Sequence, residues 1–124
     1  MSRDEDTDDR FRRMYRRELE VRRSALGALD PADPAATAAM AAAVHPLIGG
    51  AGAVGLFELG VLCRTVEQRL RRLESDGLSP DAEPALLKFL AILDDVSEAL
   101  GEHRAPDIDA IHALALELAP DPEG

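Results

Sequence analysis

The sequence has little of several residue types that mark particular classes of protein. It has one cysteine, so an internal disulfide is excluded and a reducing cytoplasm is the expected compartment. Tryptophan is absent and aromatic residues make up 3% of the chain. No apolar run approaches the about 18 residues that mark a transmembrane helix, and the charged start MSRDEDTDDR lacks the apolar core of a secretory signal. A chain this rich in alanine and leucine is predicted to be all-α and cytoplasmic, without a membrane contact.

The charge of the chain is acidic and uneven. The formal net charge is −10 at pH 7. Residues 1–30 hold eight arginines and eight acidic residues, whereas residues 31–124 hold six basic and sixteen acidic residues. Because nucleic-acid binding depends on cations that neutralise phosphates, no nucleic-acid partner is expected. The arginines of RFRRMYRRELEVRR alternate with glutamates at helical spacing, which is typical of a solvated helix face.

Hydrophobic periodicity predicts four amphipathic helices and a short fifth one. The first predicted helix is capped by Thr7, Asp8 or Asp9 and runs to about Leu29. The others span about residues 34–54, 56–75, 81–100 and 108–118. Asp33 is placed to cap the second helix, with Pro34 at its first position. Cys63 falls on the apolar stripe of the third helix and is predicted to lie in the core.

These segments predict one domain with an all-α fold. Four helices joined by short turns favour an antiparallel up-and-down four-helix bundle, with the short C-terminal helix packed across it. The bundle domain is assigned to residues 10–119. Residues 1–9 and 120–124 are predicted to be disordered tails.

The stretch AAAVHPLIGGAGAVGLFELGVLC has an unusual composition for a helical chain, with five glycines and a proline around one histidine. Four residues share one face of a helix, at i, i+3, i+4 and i+7: His45, Ile48, Gly49 and Gly52. Helical side chains lean toward the N-terminus, so residue 49 is placed over His45, and a glycine there leaves space beside the imidazole. The pattern predicts a histidine that a phosphoryl group or a partner's loop can reach.

The stretch HPLIGGAGAVGL, which begins at His45, resembles the motif of histidine-containing phosphotransfer (HPt) domains. That motif reads roughly His-x-Leu-Lys/Ala-Gly-x-Ala-Gly-x-x-Gly, and a helix with two leucines and a glutamate follows it, here Leu59, Leu62 and Glu67. The resemblance implies a four-helix bundle of bacterial two-component phosphorelays with His45 as the phosphoacceptor. It also implies that Gly49 gives access to the histidine.

The resemblance further implies a relay rather than an autonomous kinase. The protein would carry a phosphoryl group between the receiver domains of a hybrid histidine kinase and a response regulator, as a monomer. No cofactor is expected on this chain, and Mg²⁺ would belong to the partner receiver. An apolar patch that includes Ile48 would dock the receiver, and the acidic surface is expected to favour receivers with basic surroundings.

Two residues depart from the motif. Ile48 stands where the family often has a lysine, and Pro46 removes the hydrogen bond to the Ala42 carbonyl. Either the second helix continues with a kink, or it is two helices, with His45 near the cap and Pro46 at the first position of the new one. The departures motivate an alternative function, a degenerate HPt-like adaptor that binds a receiver or kinase without accepting phosphate. A helical dimerisation module is a third hypothesis.

Antiparallel geometry suggests which residues assist His45. A third helix that returns along the second brings residues 64–68 level with the histidine, so Arg64 and Gln68 are candidates to contact the ring or a phosphate. His103 and His112 have no such context and are predicted to be ordinary surface or packing residues. No metal site is expected, because the histidines and the cysteine lack short ligand spacing.

Overall fold

The computed structural model describes residues 3–73, 78 and 82–119. Within these residues the chain forms α-helices and no strand, which confirms the all-α prediction. The helices are α1 (Arg3–Gly27), α2 (Pro34–Ala53), α3 (Phe57–Arg72), α4 (Glu83–Glu102) and α5 (Ile108–Leu118).

The first helix begins earlier than the sequence predicted. Residues 3–9, assigned to a disordered tail, form the first turns of α1 in the structure. Periodicity alone does not predict a helix here, because the segment has no apolar stripe. Residues 1–2 and the predicted tail 120–124 lie outside the described residues.

Helix α2 begins as predicted and continues past its internal proline. The side chain of Asp33 accepts a hydrogen bond from the Ala35 amide, and Pro34 occupies the first turn. Pro46 lies inside one continuous helix, so the interpretation as two helices is wrong. Ala42, whose carbonyl loses its usual donor, lies on the exposed side of α2, where water can hydrate it.

Helix α2 is long and apolar enough, by length and composition alone, to cross a membrane. It carries no charged residue over its 20 positions. Close to half of its apolar window, 44%, is buried inside the protein. This burial is what the core helix of a helical domain requires.

The helices that pack together are not always neighbours along the chain. Helix α2 packs most extensively against α3 and also against α1, and α1 packs against α4. Helix α5 packs against α3 and, over a shorter length, against α4. In the described part of the chain, side chains of α3 and α4 line one pocket together with the end of α5. Helix α5 therefore packs beside both α3 and α4, and the bundle of four helices with a fifth across it stays a prediction.

The core is a single cluster of apolar side chains contributed by all five helices. The predicted stripe of α3 is buried, including Cys63 and its neighbours along the helix, Leu59, Leu62, Val66 and Leu70. Burial raises the pKa of the Cys63 thiol to about 12. This core fixes the spacing of α2 and α3, on which the candidate site depends.

Candidate functional site

His45 lies on the exposed side of α2, and 68% of its side chain is accessible. The surface beside it is open. A Cβ atom placed at Gly49 or at Gly52 would meet no atom within 4 Å. The imidazole can therefore be approached along the helix without moving another side chain.

Glu67 of α3 contacts the histidine directly. His45 Nδ1 and Glu67 Oε2 lie 2.6 Å apart, the distance of a strong hydrogen bond. The carboxylate is only 13% exposed, whereas the imidazole extends into solvent. Since a carboxylate only accepts, Nδ1 carries the hydrogen and donates it. The free electron pair of the neutral ring is then on Nε2, the nitrogen away from α3.

A cation on α3 contacts the same carboxylate. Arg71, one turn further along α3, brings Nη2 to 3.5 Å from Glu67 Oε2. The carboxylate thus lies between the imidazole of His45 and the guanidinium of Arg71. This ion pair restricts the rotamer of Glu67. Because Glu67 accepts the hydrogen bond from His45, it also restricts the orientation of the imidazole ring.

The two residues that the sequence predicted to assist His45 do not take part in the contact between His45 and Glu67. Arg64 and Gln68 are exposed on α3, and among the described residues neither makes a hydrogen bond or ion pair to His45. Glu67 lies between them in sequence and was identified only as part of the motif. The carboxylate of Glu67 was the signal in the sequence that could have identified this contact, because a carboxylate is the natural acceptor for an imidazole N–H.

Tyr15 of α1 fixes α2 one turn beyond the histidine. Its hydroxyl donates a 2.7 Å hydrogen bond to the Leu47 carbonyl. Its ring lies across Gly50, where a Cβ atom would be 2.5 Å from a ring carbon. Burial raises the pKa of the Tyr15 hydroxyl well above its ordinary value, so the hydroxyl remains a donor. Gly50 is therefore a packing glycine, whereas Gly49 faces open space.

Apolar side chains remain exposed on both sides of α2. Phe57 and Val61, on the outer face of α3, are among the most exposed large apolar residues. On the other side, Phe11 and Met14 of α1 line a shallow groove of about 250 Å³ along α2. Ile48 is half-buried and packs against the core. The histidine thus lies between two apolar patches.

The other histidines belong to different surroundings. His103 ends α4 in a left-handed conformation, and its Nδ1 accepts a hydrogen bond from Arg12. His112 is exposed on α5. Among the described residues, no group of three or more His, Cys, Asp or Glu side chains is arranged to hold a metal ion.

The chain is similar to a known protein family. The family model described as Hpt domain matches residues 10–100 of the chain. The matched region contains α2 and α3 with His45 and Glu67, and it ends within α4, so α5 lies outside it. No curated protein matches the chain.

Proposed function

The chain belongs to the Hpt domain family, and from this premise we propose that it carries phosphoryl groups between receiver-domain aspartates, as a phosphohistidine at His45. The observation that carries the proposal is the exposed imidazole whose Nδ1 is bonded to Glu67 at 2.6 Å. This geometry holds the ring in place and directs its reactive nitrogen outward. A four-helix arrangement of the family type, extended here by α5, would support it.

The transfer step uses the free electron pair of His45. Nε2 attacks the phosphorus of the receiver's aspartyl phosphate, the N–P bond forms, and the bond from phosphorus to the aspartate oxygen breaks. The aspartate leaves as a carboxylate. The ring, now bearing the phosphoryl group, gains positive character, and the carboxylate of Glu67 stabilises the Nδ1–H that it already accepts. The reverse sequence on a second receiver releases the phosphoryl group.

The surface around His45 supports docking of a receiver. Phe57 and Val61 are exposed apolar side chains of α3, the helix that also carries Glu67, and Arg64 on the same exposed face adds a positive charge. Three further arginines occupy the last turn of α3: Arg69, Arg71 and Arg72. Because a receiver's phosphorylation site is itself built on a carboxylate, this local charge favours an acidic partner surface. The net charge of the chain gives the opposite prediction, a receiver with basic surroundings.

The geometry favours a carrier over an adaptor that does not accept phosphate. Pro46 leaves α2 continuous, and the imidazole remains exposed beside open space at Gly49. Glu67 and Arg71 add an orienting network that docking alone does not need. The missing lysine at Ile48 leaves the phosphoryl group to be neutralised by the receiver's metal ion and by exposed arginines.

The test is label transfer from a phosphorylated receiver domain to the whole chain. Wild type and His112→Ala, a control at another exposed histidine, are expected to take up acid-labile, base-stable label. His45→Ala and His45→Gln are expected to take up none. Binding of cognate receivers without label on the wild type would make the protein an adaptor, and label on both His45 variants would place the phosphoacceptor elsewhere.

A further inference from the structure

A second apolar groove runs between α4 and α5, with a volume of about 500 Å³. Three alanines, one from α4 and two from α5, line it together with Ile92 and Leu114. The two helices are antiparallel, since only residues 103–107 connect them. Small side chains along two antiparallel helices leave a straight channel that a third helix can enter closely.

Two leucines extend this apolar surface at the end far from the connection. Leu87 is 66% exposed and Leu116 is 75% exposed, the largest fraction among the exposed large apolar residues. They lie next to Lys88 and Glu117, whose ion pair at 3.1 Å joins α4 and α5 at this level. The leucines therefore flank the open end of the groove, where an incoming apolar side chain would meet them.

The charged side chains that line the groove are negative in sum. They are three carboxylates, Asp95, Asp107 and Glu117, and one ammonium group, Lys88, which gives a net charge of −2. Lys88 is paired with Glu117, and Arg104 is paired with Asp95. A partner whose charge complements these acidic side chains is positively charged. Nucleic acid and an anionic lipid surface would be repelled.

The groove lies away from the histidine. Helix α2 packs against α1 and α3, and within the described residues it does not pack against α4 or α5. The seam between α4 and α5 is therefore on the opposite side of the core from α2. Helix α5 also lies outside the region that matches the Hpt family, so the groove is built by an element added to that region.

We infer that the α4–α5 groove binds a basic amphipathic helix of a partner protein while the His45 face stays free for receivers. Helix α5 has 11 residues, so the groove accommodates about three turns of an incoming helix. The apolar stripe of that helix packs on the alanines and the two leucines, and its lysines or arginines face the acidic rim. The partner would hold the carrier in place, and receivers would exchange on the other side.

The test titrates the isotope-labelled whole chain with two synthetic peptides of about twelve residues and identical composition. One peptide places leucines at i, i+3, i+4 and i+7 among lysines and arginines, and the other scrambles them. The first is expected to bind, with amide shifts confined to the groove. Ala91→Arg and Ala113→Arg are expected to weaken it by about tenfold or more, whereas Ala25→Arg, the same change on exposed α1, is not. His45→Ala is expected to bind the peptide unchanged, which separates this result from the phosphotransfer test.

Several results would overturn the inference. Equal binding of both peptides, or shifts spread over every acidic surface, would mean simple charge attraction. No binding of the patterned peptide at millimolar concentration would mean that the groove takes no basic helix. Concentration-dependent self-association that Ala113→Arg abolishes, measured by sedimentation, would assign the groove to a second copy of the chain instead. Circular dichroism on each variant checks that the helices are retained.

Discussion

At the scale of single residues, the site depends on a carboxylate that gives a flexible ring one orientation. His45 alone can rotate freely on an exposed helix face, and either ring nitrogen can carry the hydrogen. The 2.6 Å contact with the mostly buried Glu67 removes both freedoms. Arg71 in turn restrains Glu67. In the proposed transfer Glu67 is a positioning residue, because it would act on the phosphoryl group only through His45.

Glu67→Gln is expected to slow phosphotransfer by about tenfold, equivalent to about 1.4 kcal/mol of barrier, while the helices stay intact. The amide keeps the shape of the side chain but loses the charge that favours Nδ1–H. Nitrogen NMR of the imidazole is expected to show a mixture of tautomers in the variant and mainly the Nδ1–H form in the wild type. Glu98→Gln, an exposed change on α4, is the matched control. An unchanged tautomer ratio and an unchanged rate would remove the positioning role.

The sequence predicted His45 as a candidate residue, but it did not predict which side chain contacts the imidazole. The motif identified His45, and antiparallel geometry placed residues 64–68 beside it, a range that contains Glu67. The choice of Arg64 and Gln68 within that range was a guess about phosphate contacts. A shift of one residue turns a helix by about 100°, so the facing residue depends on packing angles that the sequence does not specify.

At the scale of helices, two adjacent glycines of α2 have opposite roles. Gly50→Ala is expected to destabilise the fold by about 1–3 kcal/mol, because its Cβ would lie 2.5 Å from the Tyr15 ring. Gly49→Ala is expected to stabilise it by about 0.5–1 kcal/mol, because alanine favours the helix and the space is open. Urea unfolding of the two variants measures the difference between their unfolding free energies. Because the gain in helix propensity from glycine to alanine is the same in both, this difference reports the contact with Tyr15. Equal midpoints would contradict the packing role of Tyr15.

The presence of each helix and most helix boundaries could be predicted from local sequence signals. Asp33 and Pro34 marked the start of α2, and the predicted α5 has the bounds found in the structure. The partners of each helix were harder to predict. An apolar stripe says that one face is buried, but not which helix covers it, and the stripes of α3 and α4 are compatible with direct packing. The packing of α5 beside both of them follows from the shapes of many side chains together.

At the scale of the whole molecule, charge is segregated in a way that the net value hides. Arginines are concentrated in α1 and at the end of α3, whereas α4 and α5 hold most of the negative excess. The net charge of −10 therefore does not describe the local charge of the surface that a partner approaches. We expect a partner that binds at His45 to respond mainly to nearby charges, since charges farther than about 8 Å are screened in physiological salt.

The buried ionisable groups make the whole fold sensitive to alkaline pH. The pKa of the Cys63 thiol is raised to about 12, whereas an unfolded thiol titrates near about 8.5. The unfolded chain therefore loses a proton that the folded chain keeps, and stability falls as pH rises above about 8.5, by at most about 1.4 kcal/mol per pH unit for this group. The Tyr15 hydroxyl, whose pKa is also raised, adds to the loss above about pH 10.

Urea midpoints measured between about pH 8 and pH 10 test this dependence. The wild-type midpoint is expected to fall across this range. Cys63→Val, which fills a similar volume without an ionisable group, is expected to lose most of the slope. A wild-type midpoint that stays constant, or an equal slope in the variant, would show that Cys63 titrates alike in the folded and unfolded chain.

The packing of α5 also has a consequence for how the chain is made. Ribosomes release a protein from its N-terminus, so α1 to α4 emerge before the helix that packs beside α3 and α4. Until α5 has been synthesised, the apolar side chains that it covers face water or a chaperone. The nascent domain can form its α2–α3 hairpin early, but Ile111 and Leu114 join the core only when the fifth helix arrives.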